Sequence, residues 1–310
     1  MTTTSPGPLH LRLPATSANL GPGFDALGLA MALYLTIDAT VAPAFHIDAT
    51  GRDAALCARL DNNLILTTYT GVLAAAGRSA TPLHLSLHNE IPLGMGCGSS
   101  AAALIAGVLL ANHFGNLGWT NQQVLEEACR REGHPDNVAA CWLGGMTTSA
   151  MVGTSVVTAT CGQNLTWNLM LALPPASLAT EKARALLPDS YSRADAVTNV
   201  QNAALLVAAF ALNRGDLLRT AMVDRIHQPY RQEACPLLPL LLPLTSEPGV
   251  LGVALSGAGP SVLLITENAS FSPAITAAVR RAANDPGIEI LQTSITAGAI
   301  DNLVHNLATR

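Results

Sequence analysis

Pro92-Leu93-Gly94-Met95-Gly96-Cys97-Gly98-Ser99-Ser100-Ala101-Ala102 is the stretch on which the reading of this chain turns. Three glycines at alternate positions tolerate positive φ, so backbone N–H groups can converge and a ligand can come close to them. Residues 101–114 that follow are rich in alanine and leucine, good helix material. The unpaired donors and the positive dipole end of such a helix add to the same point, which suits a phosphate cluster. For glycines alone, a tight turn kept for packing is the competing reading; the paired serines at the helix start favour phosphate. The common P-loop needs a lysine just after its last glycine. Here the only lysine of the chain is Lys182, far along the sequence. The spacing is also not the dinucleotide fingerprint, and no acidic residue closes a following strand at the required distance. A nucleotide bound here is held mainly by backbone and hydroxyl groups.

Working outward, residues 83–88 (Leu-His-Leu-Ser-Leu-His) alternate with period two, the pattern of a half-buried strand. The local order is therefore strand, flexible loop, helix. Residues 29–41 have the β-branched and aromatic content of another strand. Thr120 with Gln123 three residues on is a capping box, and Gly133 with Pro135 ends that helix near Glu132. Beyond it, residues 165–173 read as a strand closed by Pro174-Pro175, residues 178–186 and 194–212 as helices, and residues 252–266 as strand, glycine turn, strand. Two domains are expected, 1–160 and 161–310. Helices and strands mix without a regular βαβ rhythm, so the fold class is α+β.

Composition excludes several classes of function. Of 310 residues 49% are hydrophobic and 12% charged, which is a folded chain and not a disordered one. A formal net charge of -5 offers no footprint for nucleic acid or an acidic membrane. The longest wholly apolar run, residues 101–111, is well short of the ~18 residues of a membrane span. The first ten residues lack a signal-peptide pattern, which predicts a cytoplasmic protein. Six scattered cysteines show no metal-ligand spacing and read as reduced, small apolar side chains. The apolar content also permits a homodimer.

Three further polar, glycine-bearing segments interrupt the apolar sequence: residues 14–25 (P-A-T-S-A-N-L-G-P-G-F-D), 133–137 (G-H-P-D-N) and 256–260 (S-G-A-G-P). Each alone is as readily a turn as a site. With the P-x-G-x-G-x-G-S-S-A loop, and in this order, they resemble the signature motifs of the GHMP small-molecule kinases (galactokinase, homoserine kinase, mevalonate kinase, phosphomevalonate kinase). The match runs from about residue 11 to residue 265, and the first motif and H-P-D-N most resemble the homoserine-phosphorylating branch. Cys97 departs from the leucine usual in the loop; since the loop works through its backbone, packing is affected more than phosphate contact.

The resemblance implies an N-terminal domain similar to domain 2 of ribosomal protein S5 and a ferredoxin-like C-terminal domain. It implies ATP and Mg²⁺, with L-homoserine as acceptor of the phosphoryl group on the route to threonine. ATP would lie against Pro92, Leu93, Gly94, Met95, Gly96, Cys97, Gly98, Ser99, Ser100, Ala101 and Ala102, with Asn63 near the adenine. Ser256, Gly257 and Gly259 would face the phosphates or brace the first motif. Thr180, Arg184 and Arg231 resemble homoserine-contacting residues, the two arginines forming a carboxylate clamp. Asp25 would take the ammonium and Asn19 and Asn137 the hydroxyl, with Asp136 the other carboxylate of the set and no dedicated base implied. The family spacing selects Glu126 as Mg²⁺ ligand beside a serine such as Ser99. On the helical wheel Glu132 lies nearer than Glu126 to the apolar stripe of Val124, Leu125, Ala128 and Cys129, and Glu126 could pair with Arg130; Glu126 is kept because its partner would be the phosphates and not the core, with Glu132 as the rival. A kinase for another small alcohol such as mevalonate, and a catalytically silent sensor of the same fold, are the alternative functions.

Overall fold

The structure, a computed structural model, describes residues 6–301. Strands β1 (Leu9–Asn19), β2 (Gly23–Val41), β3 (His46–Gly51), β4 (Leu83–Asn89), β5 (Met146–Val152) and β6 (Ser155–Cys161) form the first sheet. Its order is β3-β4-β2-β5-β6, with β1 paired to β2. Helices α1 (Ala54–Cys57), α2 (Leu64–Ala75), α3 (Ser99–Phe114), α4 (Asn121–Glu132) and α5 (Asp136–Leu143) accompany it. The second sheet is antiparallel, β10-β7-β9-β8, built from β7 (Asn168–Leu173), β8 (Val250–Leu255), β9 (Val262–Thr266) and β10 (Glu289–Ser294). With it come α6 (Thr180–Arg184), α7 (Arg193–Ala211), α8 (Leu218–Ala221), α9 (Gln228–Arg231), α10 (Leu237–Leu241) and α11 (Ser272–Ala283).

The 19-residue strand β2 organises the first half. It pairs with β1 in a long hairpin, with β4 through Leu35–Val41 and with β5 through Leu27–Leu29. The first polar motif is thus the end of β1 and the hairpin tip, where Asn19, Leu20, Gly21 and Asp25 all take positive φ. Helix α3 is buried on almost every side, as its apolar sequence requires, and packs on α2, α4, α5 and β1. That burial fixes where its N-terminus points. The capping box at Thr120 forms as expected and α4 stops at Gly133 in the left-handed region.

Residues 169–172 are buried on both faces, and their alternation assigns each face to a different core. Leu169 and Leu171 join the large core of the first sheet, whereas Met170 and Ala172 face a second core with Leu238, Val262, Ile275 and Val279. Strand β9 alternates the same way, Leu263 and Ile265 to one side, Val262 and Leu264 to the other. The second sheet is therefore a wall shared by two cores, and the large core holds the two sheets together. At the surface the Arg52 guanidinium adds a bidentate ion pair to Glu289 on β10, with N–O distances of 2.7–2.8 Å.

Candidate active site

The glycine loop ends at Gly98, the left-handed N-cap of α3 (φ 70°), and offers no side-chain cap, so the first N–H groups of the helix are left for a ligand. Two glycines are dictated by close approach. A Cβ on Gly96 would stand 2.1 Å from the Ser256 carbonyl oxygen, and one on Gly98 1.8 Å from Thr16 Oγ1. The segments carrying those atoms are the third and first motifs, so all three are bolted together behind the loop. Thr16 N donates to the Cys97 carbonyl (3.0 Å), and Thr16 Oγ1 donates to Asn137 Oδ1 (2.7 Å). Ser256 is fully buried; its hydroxyl donates to the Gly96 carbonyl (2.8 Å) and meets Ser17 Oγ at 2.9 Å. Ser256 thus braces the back of the loop, while Gly257 and Ala258 reach the pocket wall and Gly259 packs toward Cys235.

Two cavities meet at the start of α3. The larger, about 400 Å³, runs from Leu35, Leu87 and Ile91 to α1 and the N-terminus of α2, with Leu93, Ser99, Ser100 and Ala103 at its inner end. Asn63 lines it, but its side chain is spent as the N-cap of α2, accepting from Ile65 and Leu66 N–H and donating to the Cys57 and Arg59 carbonyls. Pro92 lies outside it, beside Arg52 and Pro175. The smaller cavity, about 180 Å³, contains Asn19, Asp25, Gly94, Gly96, Cys97, Gly98, Glu132, His134, Asp136, Asn137, Arg184 and Arg231. Ser99 and Ser100 border both. Ala101 and Ala102 are buried beneath them in the helix, and Met95 packs against the large core.

Within the smaller cavity Asn19 uses both halves of its amide: Oδ1 accepts from Asp25 N–H (3.0 Å) and Nδ2 donates to the Gly257 carbonyl (2.9 Å). That holds Asp25 in place. Arg184 makes a bidentate pair with the Asp25 carboxylate at 2.8 and 2.9 Å. Arg231 is 1% exposed and donates to the Ala183 carbonyl (3.2 Å) and, at 3.0 Å, to His227 Nδ1. Because the buried His227 also donates from Nε2 to the Gly21 carbonyl (2.8 Å), its tautomer is fixed as neutral, and burial lowers its pKa. Burial, and then the neighbouring Arg184 charge, lower the pKa of Arg231. The Phe24 ring lies 5.3 Å from the Arg184 guanidinium carbon and 5.6 Å from that of Arg231, so both cations converge on its ring. Thr180 opens α6; its side chain lies outside the described part of the structure.

The H-P-D-N element begins α5. Asp136, 2% exposed, accepts from Asn137 N–H and lies 2.6 Å from His134 Nδ1. Burial opposes charge on His134, but the Asp136 carboxylate, with Glu132 and Asp25 behind it, raises its pKa above the ordinary value. Glu132 accepts from Ser100 Oγ at 2.6 Å, and burial raises its pKa. Glu126 is not brought to the loop: it accepts from Gln122 Nε2 (2.9 Å), which also donates to the Val156 carbonyl on β6. The glutamate in contact with the phosphate loop is Glu132, through Ser100, while Glu126 is turned to Gln122. On a helix two residues six apart face different directions, and it is the packing of α4 on α3 that chooses Glu132. Sequence reasoning also missed Phe24, His134 and His227 as pocket or supporting groups; His134 and Phe24 stood inside quoted motifs, whereas His227 had only its spacing of four from Arg231 as a signal.

A lysine-free glycine loop at a buried helix N-terminus, braced by two distant motifs and opening on a nucleotide-sized and a small polar cavity, defines a small-molecule kinase. The models of the GHMP kinases N terminal domain and the GHMP kinases C terminal match residues 63–145 and 206–285, and the chain belongs to that family. It is 49% identical over 259 residues to the homoserine kinase of Solibacter usitatus, covering 83% of this chain and 85% of that one. The homoserine kinase of Deinococcus radiodurans is 42% identical over 83% of each chain. Within the GHMP kinases, the chain is a member of the homoserine kinase family. The crystal structure of homoserine kinase from Cytophaga hutchinsonii superposes with a TM-score of 0.80 at 23% identity, over 96% of this chain and 98% of that one, and shares the fold. That of mevalonate kinase from L. major does so with a TM-score of 0.74 at 14% identity, over 96% and 98%.

Proposed function

We propose that the chain transfers the terminal phosphoryl group of ATP to the side-chain hydroxyl of L-homoserine, giving O-phospho-L-homoserine on the route to threonine. The observation that carries this reading is that both cavities meet at Ser99 and Ser100. ATP fits the larger, its phosphates over the amides of residues 96–100; a small zwitterion fits the other. The reaction so proposed is a cytoplasmic one.

The Asp25–Arg184 pair explains why an amino acid suits the smaller cavity. A zwitterion can split that pair and repay both sides, its ammonium going to Asp25 and its carboxylate to Arg184 and Arg231. A plain hydroxy acid such as mevalonate would leave Asp25 without its partner, a cost of about 1 kcal/mol for a pair as open to solvent as this one. Asn19 supports Asp25, and Asn137 with Thr16 ties the hydroxyl side of the pocket to the loop. Asp136 is already engaged by His134 and Asn137 N–H, so it orients its neighbours. Phosphoryl transfer asks chiefly for alignment and charge neutralisation, which these groups supply without a strong base.

The hydroxyl of Ser100 and the half-buried Glu132 carboxylate, converging beside the loop with Ser99 next to them, are hard oxygen donors that fit Mg²⁺. Bound there, the ion would screen the charge of the phosphates. A coupled assay of ADP release with L-homoserine, D,L-mevalonate and no acceptor tests the reading. Turnover with homoserine alone supports it; turnover with mevalonate alone, or ADP release indifferent to acceptor, overturns it.

A further inference from the structure

His46, Asp48 and His84 meet on the open face of the first sheet, where β3 is the edge strand beside β4. His46 and His84 are direct partners in the parallel β3–β4 register, and Asp48, two residues along β3, shares their face. Asp48 Oδ1 lies 3.2 Å from His46 Nε2 and Oδ2 lies 2.8 Å from His84 Nε2, with the imidazole centroids 5.2 Å apart. The three donor atoms fall within 4.8 Å of one another.

We propose that His46, Asp48 and His84 form a site for a divalent transition metal, of the Zn²⁺ type, separate from the kinase centre. Zn²⁺ with nitrogen and oxygen ligands at about 2.0–2.1 Å sets tetrahedral ligand atoms about 3.3 Å apart, and the two Asp48 contacts, at 3.2 and 2.8 Å, need to open only slightly to reach that separation. Two imidazoles with one carboxylate suit Zn²⁺ and its softer neighbours, whereas Mg²⁺ prefers oxygen alone. Hydrogen-bonded strands hold the two rings in register, so little order has to be added on binding. The side chains face solvent, which leaves a fourth ligand position to water. Strand β3 runs on through Arg52 to α1, whose Leu56 and Cys57 line the larger cavity. The ion would therefore staple to β4 the edge strand that carries one wall of that cavity.

Zn²⁺ titration of the whole chain against a chromophoric chelator at pH 7.5 is the test, with His46→Ala, His84→Ala and Asp48→Asn beside the wild type. One equivalent is expected in the wild type, weakened in each variant by at least about tenfold, since losing even an outer-shell partner of a metal costs that much. Kinase turnover without Zn²⁺ should be the same in all four. Histidine resonances of the wild type, followed by NMR through the same titration, separate this site from the Asp25–His134–Asp136 group of the cleft. Shifts of His46 and His84 support the proposal. Shifts confined to His134, stoichiometric binding unchanged in the variants, or no binding overturn it.

Discussion

Replacing Gly98 by alanine converts a distance into a rate. The ideal Cβ lands 1.8 Å from Thr16 Oγ1, 3.0 Å from its Cβ and 3.1 Å from its backbone nitrogen. Ordinary contact with Oγ1 is about 1.6 Å further out, and φ at this position is 70°. Thr16 has nowhere to go: it is fully buried, its N–H is committed to Cys97 and its hydroxyl to Asn137. The loop must move, and a misplacement of about 1 Å in a positioned site costs about a hundredfold in rate. We expect kcat/KM for ATP to fall by that factor or more. Stability should fall by about 2–3 kcal/mol, about 1–2 from the left-handed backbone and about 1 from the Thr16–Asn137 bond. The coupled ADP assay and denaturant melts measure both. Thr16→Ala removes the nearest atom, so in the double variant the combined loss should be smaller than the sum of the two single losses. Strict additivity, or a fully active Gly98→Ala enzyme, would refute the reasoning.

Glu132→Gln should lower kcat by about a hundredfold or more with little effect on the melt, whereas Glu126→Gln should stay within about twofold of wild type; equal effects would return the metal to Glu126. Arg184→Ala should lower kcat/KM for homoserine by about ten- to a hundredfold, the worth of a charge-assisted pair, and leave KM for ATP nearly unchanged. A fall confined to ATP would place the arginine on the wrong substrate. His134 gives a signed pH dependence. Its folded pKa is raised above 6.5, so the stability its pairing contributes is complete below 6.5 and is lost as pH rises through the folded value. His134→Gln should therefore cost more stability at pH 5.5 than at pH 8.5; a difference independent of pH would contradict the Asp136 pairing.

What was legible in the sequence was what short-range chemistry decides. The loop, the helix it opens, the capping box at Thr120 and the period-two strand at 83–88 are each written in a few neighbouring residues, and each forms. The limits appear where distant partners decide. Residues 178–186 look helical throughout, yet α6 spans only Thr180–Arg184, because Leu178 sends its N–H to the Gly94 carbonyl at 3.3 Å. The second sheet reads as apolar runs, but only the assembled chain shows that alternate residues of β7 serve different cores. In the site, the structure gathers the motif segments around one cavity, but Glu126, the glutamate the family spacing selects, lies away from the loop. Which glutamate of α4 meets Ser100 is set by how that helix packs on α3, and the contact falls to Glu132. The pairing of Asp25 with Arg184, 159 positions apart, and the support of Arg231 by His227 belong to tertiary structure alone.

The most direct measurement is a crystal structure of the chain with a non-hydrolysable ATP analogue and L-homoserine bound together. The account requires the terminal phosphate on the amides of residues 96–100, and the amino acid carboxylate between Arg184 and Arg231 with its hydroxyl facing that phosphate. Phosphates seated away from the N-terminus of α3, or an amino acid oriented with its hydroxyl toward the arginines, would contradict it.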